Sequence, residues 1–298
     1  MEDKLISYGG QAVIEGVMMR GKHAVAIAMR SPEGEIVLHV EKLGGIYKSK
    51  IAKLPFLRGL VLLWDALGLG MRALTISANT QTGEEEKLEG AALYFSLALS
   101  LLFSVGLFFL LPATAGGLVE KYLGWSSFLG NLLEGVIRLA LLILYVWAIG
   151  FMDDIKRVYG YHGAEHKVIN AFEDDAELTP EIVATYSREH ARCGTAFLLS
   201  LVIFSILVYS LLPSMTLGVR LLSRVILLPL LAVIAYEYIK WTADHLDSKI
   251  VQAMIRPNLA LQLLTTHEPD LEMLEVSIEA FNTMRDAEVE FAPIPPSL

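Results

Sequence analysis

FLGNLLEGVIRLALLILYVWAIGFM, residues 128–152, contains two charged side chains, Glu134 and Arg138, in an otherwise apolar run. A helix of about 20 residues crosses the hydrocarbon core of a bilayer, and this run exceeds that length. Three more blocks of the same kind, residues 91–111, 195–212 and 221–239, flank it. Soluble helices keep a polar face, and these blocks have none to speak of. The whole chain is 54% hydrophobic with a mean hydropathy of +0.51. The expected fold class is therefore mainly α: a four-span transmembrane helical bundle. The opening MEDKLISYGG lacks the basic then apolar order of a signal peptide, so the expectation is that no leader is cleaved.

Lys and Arg in short loops set orientation. Residues 112–127 carry only Lys121 and residues 211–219 carry none, whereas residues 153–194 hold Lys156, Arg157, Lys167, Arg188 and Arg192. Both termini and the central loop are thereby expected in the cytoplasm, with the chain integral to the cytoplasmic (inner) membrane. Arg220 and Arg224 run against this pattern, and snorkelling to the interface accommodates them. The net charge of −9 excludes a nucleic-acid partner, because binding phosphates needs a concentrated basic surface. Membrane lipid is the first partner, a cytoplasmic or membrane protein is a second, and the oligomeric state is left open. One cysteine, Cys193, excludes an internal disulfide.

The regions follow from composition. Residues 1–53 form a cytoplasmic N-terminal β element, with two or three short antiparallel strands expected from AVIEGVMM, AVAIAM and IVLHV, separated by turn signals. Residues 54–90 hold a helix and an acidic linker. Arg58, Asp65 and Arg72 are seven apart there, a thin polar stripe that predicts an interfacial amphipathic helix over a re-entrant or fifth span. Residues 91–152 are the first transmembrane hairpin, 153–194 a helical cytoplasmic loop, 195–241 the second hairpin, and 242–298 a C-terminal helical region with a disordered tail. Glu134 and Arg138 have the spacing of a helical ion pair, and Pro229 interrupts the fourth span.

The chemistry concentrates in YHGAEHK, residues 161–167. His162 and His166 are four apart and share a helical face, with Glu165 beside them. This H-x-x-E-H order is that of inverted zincins, in which two histidines hold zinc and the glutamate is the general base. Glu173 continues the face. Thr179 as N-cap and Pro180 predict a second helix that runs to Glu189, His190 and Cys193. Three of the seven histidines fall in this loop. Glu237, one turn inside the boundary marked by Lys240 and Trp241, is an ionisable group at the edge of a span and a further ligand candidate. The bland reading is a packed loop whose histidines are partly exposed, with Glu165 paired to Lys167 or Arg192 and Cys193 a small buried residue. No Walker loop and no Gly-x-Ser-x-Gly elbow occurs in the sequence, so nucleotide hydrolysis and serine hydrolase chemistry find no support.

GGQAVIEGVMMRG at residues 9–21, LPFLRG at 54–59, YHGAEHKVINAFE at 161–173 and SREHARCGTAF at 187–197 resemble the YqhQ-type bacterial membrane proteins, from about Gly9 to the end of the fourth span. Ala191 departs from the proline expected after the histidine. The resemblance implies a membrane location and a metal and leaves the reaction open. Two functions fit. One is a membrane-embedded metal-dependent hydrolase, a peptidase for example, with a divalent ion such as zinc on His162, His166 and either His190 or Glu237. In it Glu165 is the base, and Cys193 and Glu173 are further ligand candidates. The other is a scaffold or accessory factor whose histidine loop is a structural metal site or a packed junction.

Overall fold

A computed structural model describes residues 8–43, 57–82 and 90–292. Its first element is an antiparallel meander of four strands, β1 (Gly9–Val13), β2 (Gly16–Arg20), β3 (Ala24–Arg30) and β4 (Ile36–Lys42), paired in chain order. The two or three strands expected become four because AVIEGVMM is split by a tight turn. Glu15 adopts φ 53°, the left-handed conformation that such a turn demands. Arg157 grips the Glu15 carboxylate with two donors, and Arg30 donates its N–H to the Glu15 carbonyl, so the strained residue is held from both sides.

β2 and β3 are buried on both faces, which explains why they read as continuous apolar runs rather than as an alternation. Ala12, Val17, Met19, Ala26 and Ala28 pack on one face, and Val13, Met18, Val25, Ile27 and Met29 on the other. The first face meets α5 (Asp153–Glu173) and α10 (Leu271–Phe291); the second meets α1 (Leu57–Thr82) through Leu69, Ala73, Leu74 and Ile76. The product is a three-layer α/β/α body. The helix expected over residues 54–77 thus forms, but it also covers a sheet face, and Arg72 pairs with Glu41 at 2.8 Å. The side chains of Arg58 and Asp65, and residues 83–89 of the expected linker, lie outside the described residues.

Among the described residues, three helices are long and apolar enough to cross a membrane: Tyr94–Leu123, Ser127–Ile149 and Leu217–Ala243. The first runs as α2 (Gly90–Val105), a π-helical turn at Gly106–Leu110 and α3 (Leu111–Leu123). It passes the expected end at residue 111 because of how Pro112 is accommodated. Proline cannot donate to the carbonyl four residues back, that of Phe108, and Arg138 donates its Nε there instead at 2.9 Å. α4 (Ser127–Ile149), the shorter apolar helix α7 (Thr195–Ser210) and α8 (Leu217–Ala243) pack side by side, with α9 (Lys249–Thr265) leading back to α10. Arg220 and Arg224 do not snorkel outward. Both are buried and paired, Arg224 with Glu134 at 2.7 Å and Arg220 with Glu120.

Candidate functional site

α5 carries the site. Its helical pitch places His162 and His166 on one face, one turn apart, with ring centroids 4.5 Å apart. The second part of the site arrives by a route the sequence did not foretell. The helix after Thr179 is α6 (Pro180–Val183), a single turn, instead of running to Cys193. The chain unwinds because side chains of α5 capture its carbonyls. Lys167 Nζ donates to Ala184 and Tyr186 at 2.7 and 2.8 Å, and Asn170 Nδ2 donates to Ser187 and Glu189 at 2.7 and 3.0 Å. Carbonyls satisfied this way have no need of helical donors. The unwound stretch lies along α5 and delivers His190 and Cys193 to it.

The ligand atoms of His162, His166 and Cys193 all lie within 4.8 Å of one another. His162 Nε2 is 3.2 Å from Cys193 Sγ. Each imidazole is oriented through its other nitrogen: His162 Nδ1 lies 2.9 Å from the Thr265 carbonyl, and His166 Nδ1 lies 2.6 Å from the Arg188 carbonyl. A carbonyl only accepts, so both rings carry their proton on Nδ1 and present a bare Nε2. The Nε2 of His166 is buried and has no hydrogen-bond partner among the described residues. A buried acceptor left alone is unfavourable by roughly 1–3 kcal/mol, and a metal ion removes that penalty. In a tetrahedral zinc shell, bond lengths of about 2.0–2.3 Å put ligand atoms roughly 3.3–3.8 Å apart, so small side-chain movements close the cluster onto an ion.

The remaining predicted residues stand around this cluster. Glu165 is buried, and that burial pushes its carboxyl group above the usual carboxylate range, opposed by His162, His190 and the Gly10 N–H. A Cβ on Gly10 of β1 would sit 2.6 Å from the Met18 carbonyl oxygen and 3.0 Å from Glu165 Cδ; the backbone contact accounts for the glycine, which also lets Glu165 approach β1. His190 is buried and its pKa is lowered by desolvation, so it is neutral at pH 7; its ring centroid is 5.8 Å from that of His166. Glu173 pairs with Arg192 and lies 3.7 Å from His190 Nε2. Glu237 stands on α8 and is not one of the three clustered residues.

Sequence reasoning missed the residues that brace the site. Gln262 holds the His190 backbone with two reciprocal bonds of 2.9 Å, Thr265 orients His162, and Lys167 and Asn170 shape the loop. One signal was available: Asn170 lies four residues after His166 and three after Lys167, so it extends the α5 face that carries the histidine. Gln262 and Thr265, about a hundred residues away, gave none.

A three-layer body joined to long apolar helices, with two histidines and a cysteine converging at the join, defines the class of protein. Residues 54–287 match the family described as "Protein of unknown function (DUF1385)", and the chain belongs to that family. It is 38% identical over 295 residues to the uncharacterized protein YqhQ of Bacillus subtilis (strain 168), covering 93% of this chain and 92% of the relative. No solved structure matches.

Proposed function

We propose that this is a four-span integral membrane protein carrying a zinc-binding His162–His166–Cys193 centre at the cytoplasmic membrane boundary, and that the centre serves hydrolysis. The observation that carries the reading is the pair of Nδ1–carbonyl bonds, which turn two Nε2 acceptors toward the same thiol. Two imidazoles and a thiolate form a donor set that suits zinc, and three protein ligands leave room for a water or substrate. A zinc ion there supplies Lewis acidity and lowers the pKa of water. Glu165, next to His166 and in the dry interior, is the base that accepts a proton from the attacking water. His190, with its ring 5.8 Å from that of His166, is the nearest further imidazole to the cluster and serves to steady a developing negative charge.

The span count rests on a packing argument and the sidedness on the loop charges. β1–β4, α5 and α10 share one core, so they lie on one side of any membrane. An even number of crossings must then separate each from the next. Residues 90–149 supply two crossings, and α8 needs α7 as its partner despite a length of 16 residues, about 24 Å. The Lys/Arg pattern places this side in the cytoplasm. The test is metal analysis of the purified full chain: about one zinc per chain is expected, lost in the His162→Ala, His166→Ala double variant and weakened in Cys193→Ser. Unchanged zinc in the double variant refutes the centre.

A further inference from the structure

At the end of the helices opposite the histidine cluster, three arginines meet two glutamates. Glu134, which is wholly buried, pairs with Arg138 at 2.8 Å and Arg224 at 2.7 Å, and Arg220 Nη1 approaches it at 3.9 Å. Arg220 pairs mainly with Glu120, which also accepts from Ser214 Oγ at 2.9 Å. Asn131 Oδ1 accepts from Arg224 at 2.7 Å, and the Tyr209 ring lies 4.4 Å beneath the Arg224 guanidinium. Neither amide nor ring carries charge. Among the described residues, the buried cluster therefore holds an excess of one positive charge, between helices apolar enough to lie in lipid. Charge excess at such depth is strongly unfavourable without a counter-ion.

The cluster opens on a cavity of about 560 Å³ between α3 and the start of α8, with Arg220 in its wall. Glu120, Lys121, Trp125, Ser214 and Thr216 line the same cavity, the Glu120 carboxylate being held by Arg220, and Leu118 and Leu217 make part of its wall apolar. Arg220 is 2% exposed, so the guanidinium reaches the outside only through this opening. The Arg220 guanidinium, which also holds Glu120, the Lys121 ammonium at the rim and the Thr216 hydroxyl form a donor set for a tetrahedral oxyanion, the Ser214 hydroxyl being already given to Glu120.

We infer that this cavity binds a phosphate group, which neutralises the excess charge of the Arg138–Arg220–Arg224 cluster. The group belongs to an anionic lipid headgroup or to a free phosphate. The site is independent of the histidine centre, being at the other end of the bundle.

The full chain, delipidated in an uncharged detergent, is titrated with phosphatidylglycerol, with a phosphate-free glycolipid of the same acyl chains and with inorganic phosphate while its thermal midpoint is followed. A saturable rise with phosphatidylglycerol alone assigns a lipid headgroup; a rise with inorganic phosphate as well assigns a free anion. Arg220→Gln raises the half-saturating concentration about tenfold or more, because a bidentate donor is lost. Lys121→Glu, at an exposed position that leaves the fold intact, raises it severalfold. The inference is overturned if neither phosphate source moves the midpoint, if the glycolipid acts as well as phosphatidylglycerol, or if Lys121→Glu half-saturates at the wild-type concentration.

Discussion

His162 Nε2 lies 3.2 Å from Cys193 Sγ although the two are 31 residues apart. His162 belongs to α5, packed in the three-layer body, and Cys193 stands two residues before α7, the start of the second apolar hairpin. The contact therefore joins the body to the apolar helices. An ion held there would tie them together, since metal affinity gained only in the folded state is folding free energy. Zinc removal is expected to loosen the junction before the body, whose sheet core is separately filled.

Lys167 shows how much of the junction depends on one cation. It is 3% exposed, donates to the carbonyls of Ala184 and Tyr186, and pairs with Glu268 at 2.5 Å. Lys167→Met keeps the stem and removes the donors. Each charged hydrogen bond contributes about 1.5–3 kcal/mol, and Glu268 is too exposed to add much, so a loss of roughly 3–6 kcal/mol is expected. Denaturant titration in detergent measures it, and a loss under about 1 kcal/mol contradicts this account.

Glu134→Gln tests the opposite end of the bundle. The carboxylate balances Arg138 and Arg224 in a buried setting, and removing one member of a buried ion cluster typically destabilises by about 3–5 kcal/mol. A lowered thermal midpoint with zinc content unchanged is expected, since the two clusters are at opposite ends. A loss of zinc as large as that in the histidine variants would show that the ends are coupled.

The fold was legible where physics is local. Apolar runs announced the long apolar helices, and His162, Glu165 and His166 announced the α5 face, because helical pitch is fixed. The failures share a different origin. A helix begins at Pro180 with Thr179 in the N-cap position, although the Thr179 hydroxyl makes no capping bond, and Lys167, Asn170 and His166 draw the later carbonyls away, a tertiary effect that no local propensity registers. Arg220 and Arg224 read as interfacial because their partners, Glu120 and Glu134, are 100 and 90 residues distant. Cys193 ranked behind His190 and Glu237 as a ligand for the same reason: its distance from His162 is set by an unwound loop.

Sidedness yields a prediction of its own. Reporters at Asp175 and after Leu298 are expected to read as cytoplasmic and one at Gly117 as external. The even-crossing argument requires the first two to agree whatever the absolute orientation. Disagreement between them would separate α5 from the C-terminal helices and break the shared core. Agreement with both external would leave the packing intact and reverse only the Lys/Arg assignment.

Glu165→Gln separates hydrolase from scaffold. The side chain is buried beside Gly10 and next to His166, and it is outside the three clustered ligands. Glutamine keeps its size and its ability to accept from the Gly10 N–H, and it cannot take a proton. If the centre is catalytic, the variant folds and retains zinc but loses about 10² to 10⁴ in rate, the usual contribution of a general base, and fails to complement a deletion strain. If the centre is structural, an amide of the same size in place of the buried carboxyl group is nearly silent in both readings. Zinc content and complementation are therefore measured on the same preparation and strain. Full complementation by a zinc-loaded Glu165→Gln protein rejects hydrolysis and leaves a zinc-tied scaffold. Loss of function with zinc retained supports Glu165 as the base, since its neighbours His162, His166 and Cys193 would by then be shown to hold their ion without it.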